Sequence, residues 1–486
     1  MKQNFHRAKA RVGVITVGHE PYWGQFPGLK EELEANGKQF EDRLRKQDVE
    51  VVSAGFVDNV GLSFAAAARL KAADVDFLFC NLSTYVTSSS AATAILNLGV
   101  PTVLVALQPL KKLDYRHTTT YMQLANDNIC SLPEISGVLI RAGQPAAGMI
   151  VGTLHEDARA EKEIEKWCQV ANARRAFKYA RIGYMGHTYE GMYDMNTDPT
   201  AFTAAFGSHV QMLEMCDLAK LIHDVTPAEV ADKLEEISSV FTLADPFIDP
   251  ITRPIRQEDL DWSAKVAVGL DKLVAEYELT GLAYYYRGLD NNEYERIGSS
   301  MVLGNSLLTG KGIPLAGEAD LKTCAAMLIM ERLGGGGSFA ELHPCDFEDD
   351  IVLVGHDGPH NIRISNGRPI IRGLDVFHGK SGSGIGLEFS IKNGPVTLLG
   401  ISQTADGRFK MIAAEGESVP GEIPQTGNTN TRCSFACRVA DFVESWCAAG
   451  PTHHFALGVG HLNAKIRHVA DVLGLELEIV KEAAKC

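Results

Sequence analysis

Six side chains in the last third of the chain are of the types that move protons and hold divalent cations. AGEAD carries Glu318 and Asp320, SFAELHPCDFEDDIVLVGHDGPHN carries Glu341 and His356, and PTHHF carries His453 and His454. Carboxylates and imidazoles act as general acids and bases and as ligands for divalent metals. Taken singly, each also has an ordinary reading. A glutamate usually faces solvent, and a histidine in VLVGHDG usually sits satisfied in a turn. A His-His pair usually has a structural member, and Asp320 stands where a residue would cap the helix LKTCAAMLIMERL. Chemistry at these positions needs a fold that brings distant segments together.

The elements that could do so are legible in the hydrophobic pattern. RVGVITVG (11–18) reads as a buried strand and GLKEELEANGKQFEDRLRK (28–46) as an amphipathic helix. VEVVSAGFV, DFLFCNLS and PTVLVAL read as strands, with FAAAARLKAADV and SSAATAILNLGV as helices between them. That alternation predicts βαβ units and a parallel sheet. A second alternating section starts near Lys178 with YARIGYMG. It runs through helices around 208–222, 226–239 and 256–278 to the strand LTGLAYYYR (279–287) and a helix over 319–333. After GGGGSF (334–339) the pattern changes: DIVLVGH, PHNIRIS, IGLEFSIK, GPVTLLGISQT and GRFKMIAAEGE read as strands broken at Gly, Asn and Asp. A helix over 437–448 and a closing unit, VGHLNAKIRHVADVLGLELEIV, follow. The expected fold is α/β: two doubly wound parallel-sheet domains, residues 1–176 (flavodoxin- or Rossmann-like) and 177–334, then an antiparallel, β-barrel-like domain over 335–486 that carries most of the candidate ligands.

Ligands of open α/β sheets sit beyond the carboxyl ends of the strands. The segment after the first strand, GHEPYWGQFPG (18–28), places His19, Glu20, Tyr22 and Trp23 there. It is no GxGxxG turn, which counts against a dinucleotide. Aromatic rings and polar tips suit a polyhydroxylated ligand instead. HGKSGSGIG (378–386) misses the phosphate-loop spacing and leads into a strand, so it reads as a β-turn. Four consecutive glycines in GGGGSF permit close backbone approach or a hinge.

Bulk properties narrow the class. The 61 acidic and 46 basic residues give a net charge of -15, which disfavours nucleic acid and an anionic membrane surface. The start has no apolar stretch of signal-peptide length and no window reads as a spanning helix, so a cytoplasmic location is expected. The ten cysteines form no CxxC pair, and Cys433 and Cys437 read as buried apolar residues.

Together, AGEADLKTCAAM (316–327), SFAE followed by a strand ending LVGH (338–356), PTHHF and HGKSGSGIGLEFSIKNGPV resemble the L-arabinose isomerase family and, more distantly, L-fucose isomerase. The resemblance implies a metal-dependent aldose–ketose isomerase working through an enediolate. Glu318, Glu341, His356 and His454 would hold the metal, with Glu318 and Glu341 as proton carriers. Mn²⁺ suits such a mixed carboxylate–imidazole set, with Co²⁺ or Mg²⁺ as alternatives. It also implies a homo-oligomer, commonly a hexamer, with active sites between subunits. Around the sugar, His19, Glu20, Trp23, Tyr85, Cys130 and Tyr189 would line the site. Here the sequence departs from the family, which has Gln near Glu20, Tyr near Trp23, a histidine near Cys130, and apolar contacts at Tyr85 and Tyr189. The expectation is a free, unphosphorylated aldose other than L-arabinose. An epimerase sharing the enediolate and a non-catalytic sugar-binding protein are the competing readings.

Overall fold

The computed structural model describes residues 9–245, 249–287, 291–375 and 384–480. The chain divides into two compact units, residues 8–175 and residues 176 onward.

In the first unit, Arg11–Val17 (β1), Glu50–Val57 (β2), Phe77–Leu82 (β3), Thr102–Gln108 (β4) and Gly148–Thr153 (β5) form a parallel sheet in the order β2-β1-β3-β4-β5. β3 is buried along its whole length, as a strand covered on both faces must be. The amphipathic helix Leu29–Arg45 buries Leu33, Phe40 and Leu44. The chain leaves β1 for one neighbour and later enters β3 on the other side. The loops after β1 and β3 therefore diverge at the carboxyl edge of the sheet.

The second unit opens with another parallel sheet, which includes Arg181–Met185 (β6) and His209–Leu213 (β7). Thr242–Leu243 (β8) and Thr252–Arg253 (β9) are short edge pieces, and Gly281–Tyr284 (β10) and Leu315–Ala316 (β11) complete the order β11-β10-β6-β7. The expected helix over 208–222 is therefore corrected. HVQML pairs with β6 from Arg181↔His209 to Met185↔Leu213. The helix starts only at Met215, where Glu214 and Asp217 form a reciprocal capping box.

The remaining strands are Ser338–Asp346 (β12), Ile351–His356 (β13), Ile370–Leu374 (β14), Gly384–Glu388 (β15), Gly394–Gln403 (β16), Phe409–Ser418 (β17), Thr429–Ser434 (β18), Phe455–Val459 (β19) and Glu476–Ile479 (β20). A mixed, mainly antiparallel sheet runs β16-β19-β12-β13-β18-β17-β20, and β16 also pairs with β17 along its whole length. A smaller sheet joins β15, β14, β8 and β9. PHNIRIS, expected as a strand, is a 3₁₀ turn over Ile362–Ile364. The Asn361 side chain accepts from the Arg363 N–H and closes the turn, and only Ser365 bridges to Ile391. This unit has two cores: Phe241 and Leu303 pack with Val352, Leu398, Trp446 and Phe455 in one, and Met185, Leu213, Leu270 and Leu282 pack together at the parallel sheet in the other. Residues 378–383 of the expected HGKSGSGIG turn lie outside the described residues.

The glycine run has a steric reason. A Cβ on Gly337 would stand 2.7 Å from Met327 Cα and 2.9 Å from its carbonyl oxygen, both on the helix Leu321–Arg332. Because the obstruction is backbone, Gly337→Ala is expected to lose about 1–3 kcal/mol of stability. Chemical denaturation measures this, and an unchanged midpoint would contradict the close approach.

Candidate metal centre

Glu341, His356 and His454 arrive on three adjacent strands. Glu341 lies in β12 opposite Gly355 of β13, and His356 ends β13. Ala340 pairs with Phe455, so His454 immediately precedes β19. Glu341 thus precedes the expected strand that ends at His356, and itself lies in a further strand, β12. Gly355 lets β18 come close, since a Cβ there would stand 1.6 Å from Thr429 O. Glu318 comes from the other sheet, just past the end of β11. Its backbone is left-handed (φ 49°, ψ 21°), as is that of Ala319 (φ 56°). Two consecutive non-glycine residues in this region carry strain of about 1–3 kcal/mol each. Asp320 then caps the helix, accepting from Thr323 N–H at 3.0 Å and Thr323 Oγ1–H at 2.7 Å.

Four donor side chains converge. His356 Nε2 and His454 Nε2 are 3.2 Å apart. Glu318 Oε2 is 3.3 Å from His454 Nε2 and 3.8 Å from His356 Nε2. Glu341 Oε1 is 3.9 Å from His356 Nε2. Glu318 Oε2 is buried and has no hydrogen-bond partner. Phe339 holds both imidazoles, with ring centroids 4.7 Å from His356 and 4.4 Å from His454. A cavity of about 30 Å³ lies against Tyr284, Glu318, His356, Asp357 and Gly358, roomy enough for one water-sized species.

The electrostatics favour positive charge at the centre. Burial opposes protonation of His356, but Asp357 at 3.0 Å from Nδ1, with Glu318 and Glu341, raises it to about 9. Burial pushes the Glu341 carboxyl up, yet the bond to His343 and the charges of His356 and His454 hold it at about 2. Gly358 N–H also reaches His356 Nδ1 at 2.8 Å, which makes the opposite demand on the ring proton. The contact to the Asp357 carboxylate is charge-assisted and therefore stronger. It keeps the proton on Nδ1 and leaves the Nε2 lone pair for a cation. Asp320, fully buried, stands 3.4 Å from His454 Nδ1, so it both caps the helix and orients an imidazole.

Other neighbours carried no signal in the sequence reading. His343 Nε2 lies 3.4 Å from Glu341, and its Nδ1 is 2.6 Å from Asn430 Oδ1. The alternation of a strand could have pointed to His343, two residues after Glu341. Tyr284 and Asp194 had no such cue. Tyr189, named from sequence, donates its N–H to Glu318 O at 3.4 Å. Its ring lies 5.3 Å from Tyr285, with Arg287 above it.

The other sequence-named residues belong to the first unit. His19 stacks edge-on against Tyr22 at 4.7 Å and Tyr85 at 5.6 Å. Cys130 and Asp127 are close enough to raise the Tyr22 phenol, after burial itself. These residues gather at the carboxyl edge of the parallel sheet. Trp23 turns elsewhere: its Nε1–H donates to Asp58 at 2.9 Å and its ring packs on Phe56. Glu20 starts a 3₁₀ turn and is exposed.

This arrangement defines an α/β protein with a buried carboxylate–imidazole centre between a parallel and an antiparallel sheet. Residues 191–336 match the L-arabinose isomerase central domain and residues 336–476 the L-arabinose isomerase C-terminal domain. The chain belongs to the L-arabinose isomerase family, as a divergent member. It is 25% identical over 345 residues to an L-arabinose isomerase of Nocardioides sp., a match covering 67% of this chain and 64% of that protein. It is 22% identical to an L-arabinose isomerase of Shouchella clausii, covering 67% and 66%. A sulfoquinovose isomerase of Priestia aryabhattai is also 22% identical, covering 70% and 73%. The match thus spans less than two thirds of the two L-arabinose isomerases.

His360 gives a test of the site's polarity. It is buried, with Nε2 at 2.9 Å from His356 O. Burial and the neighbouring charge of His356 lower it to about 3. The unfolded chain takes up this proton near pH 6.5, whereas the folded protein does not until about 3. His360 therefore costs stability increasingly as pH falls between those values. NMR should show its ring neutral down to pH 5; titration near 6.5 would contradict the burial.

Proposed function

We propose that this protein is a metal-dependent aldose–ketose isomerase for a free, unphosphorylated aldose other than L-arabinose. The observation that carries the reading is the convergence of two imidazole nitrogens and two carboxylates, with Glu318 Oε2 buried and otherwise unpartnered. Two lone pairs 3.2 Å apart beside anionic oxygens suit a divalent cation. Glu318, Glu341, His356 and His454 would hold it, with Mn²⁺ preferred and Co²⁺ or Mg²⁺ alternatives. When bound, such an ion supplies Lewis acidity for two adjacent sugar oxygens.

The chain's own groups supply the rest. Isomerisation moves a proton between C1 and C2, and a carboxylate on either side of the sugar can take and return it. Glu341 stays ionised well below neutral pH and so is ready as a base. Asp320 and Phe339 fix the His454 ring. In the same reading, residues 1–176, 177–334 and 335–486 are three domains. In this reading the first two sheets are doubly wound and the third is barrel-like, which the additional β16–β17 pairing supports. His19, Glu20, Tyr85, Cys130 and Tyr189 face the sugar, while Trp23 is held on Asp58 and Phe56. The protein is cytoplasmic and a homo-oligomer, a hexamer by family likeness, with sites between subunits. No helix among the described residues is long and apolar enough to cross a membrane. Relatives named for two different sugars at the same 22% identity support a family whose pocket varies.

Metal-stripped protein is expected to convert no aldose, and added Mn²⁺ to restore ketose formation from one member of a panel of pentoses, hexoses, deoxy and branched sugars. Glu341→Gln should lower kcat by at least about 10²-fold with the fold intact. Wild-type turnover by that variant would sink the assignment. Exchange at C2 without ketose would favour an epimerase, and binding without exchange a sugar-binding protein.

A further inference from the structure

Next to the four converging groups lies a carboxylate–imidazole pair to which the reading above gives no part. Both the backbone N–H and the ring Nδ1–H of His453 donate to Asp194 Oδ2, at 2.8 and 2.7 Å. An ionised carboxylate can only accept, so this contact places a proton on Nδ1. His453 Nε2 is buried and has no hydrogen-bond partner. A ring nitrogen of His453 lies within 4.8 Å of donor atoms of Glu341 and His454. The side chain as a whole is one-third exposed, so a ligand entering beside Glu341 could meet it.

The segment bearing Asp194 is held for this purpose. Asp194 sits in the 3₁₀ turn Tyr193–Met195. Lys322, on the helix that follows Glu318 and Asp320, buries its stem and donates from Nζ to Asp194 O at 2.6 Å and Asn196 O at 3.3 Å. A buried ammonium spent on two backbone carbonyls fixes that turn against the helix whose cap orients His454. The two histidines of the PTHHF pair are thus oriented by two different aspartates, His454 by Asp320 and His453 by Asp194.

We propose that Asp194 is a positioning residue: it holds His453 with its proton on Nδ1 and presents Nε2 to a sugar hydroxyl beside Glu341. This rests on the isomerase reading. It separates the roles of the adjacent histidines, one facing the metal and the other the sugar.

The test uses Asp194→Asn in the full chain. Asn keeps an oxygen that can accept the same N–H groups but loses the negative charge that holds the proton on Nδ1, and its amide nitrogen can donate to a bare Nδ1, so the Nδ1–H tautomer is no longer enforced. In Mg²⁺-loaded protein, at a pH where the ring is neutral, ¹⁵N NMR of His453 (assigned with His453→Gln) should show the proton on Nδ1. In Asp194→Asn the Nε2–H tautomer should become populated. On the aldose that the wild type converts, kcat/KM should fall roughly 10²-fold, with melting temperature and bound metal unchanged. Three results would overturn the proposal: a wild-type ring protonated on Nε2, wild-type kinetics in Asp194→Asn, or loss of the metal in His453→Gln, which would make His453 a ligand. If the wild type converts no aldose, the isomerase reading falls on its own. The NMR measurement then still decides how Asp194 holds His453.

Discussion

Two imidazole nitrogens 3.2 Å apart, with a buried carboxylate oxygen against one of them, must share either a proton or a cation. Lone pairs repel, and an unpartnered buried acceptor costs about 1–3 kcal/mol. The fold holds that arrangement through strand register. Glu341 opposite Gly355 and Ala340 opposite Phe455 bring one carboxylate and two histidines to neighbouring strand positions. Moving any one of these strands by a residue would turn its side chains to the other face. Glu318 is delivered by a different device, a strained left-handed turn between the last strand of the parallel sheet and a buried helix. That helix packs against β16 and β19 of the antiparallel sheet.

Around the centre, each imidazole has its own means of orientation. Phe339 lies against both rings, Asp357 takes the Nδ1 side of His356, and Asp320 that of His454. Such neighbours decide which nitrogen faces inward, and hence whether a ring can bind a cation there. Asp320 shows how a bland and a functional reading can both hold: its carboxylate caps a helix and steers an imidazole at once.

Much of this was legible in the sequence. Long apolar runs such as β1, β3 and β4, and the amphipathic helix Leu29–Arg45, follow from periodicity alone. The strand at 209–213 was hidden because its five residues lead straight into a helix, and a short edge strand shares its pattern with a helical turn. PHNIRIS failed for the opposite reason: its β-branched residues suit a strand, but Asn361 closes a turn locally. Of the site, Glu318, Glu341, His356 and His454 could be named through a family likeness, yet their convergence depends on long-range pairing that no local pattern encodes. Asp194, far from His453 in the chain, is visible only once the fold is known. Trp23, whose type suggested a sugar contact, is spent on Asp58 and Phe56.

The most direct test of the account is to locate the ion itself. Crystals grown with Mn²⁺ should give one strong anomalous difference peak among Glu318, Glu341, His356 and His454, with their donor atoms at about 2.0–2.3 Å. Absence of a peak there at saturating Mn²⁺, or a peak that leaves Glu318 Oε2 and the two Nε2 atoms uncoordinated, would contradict it.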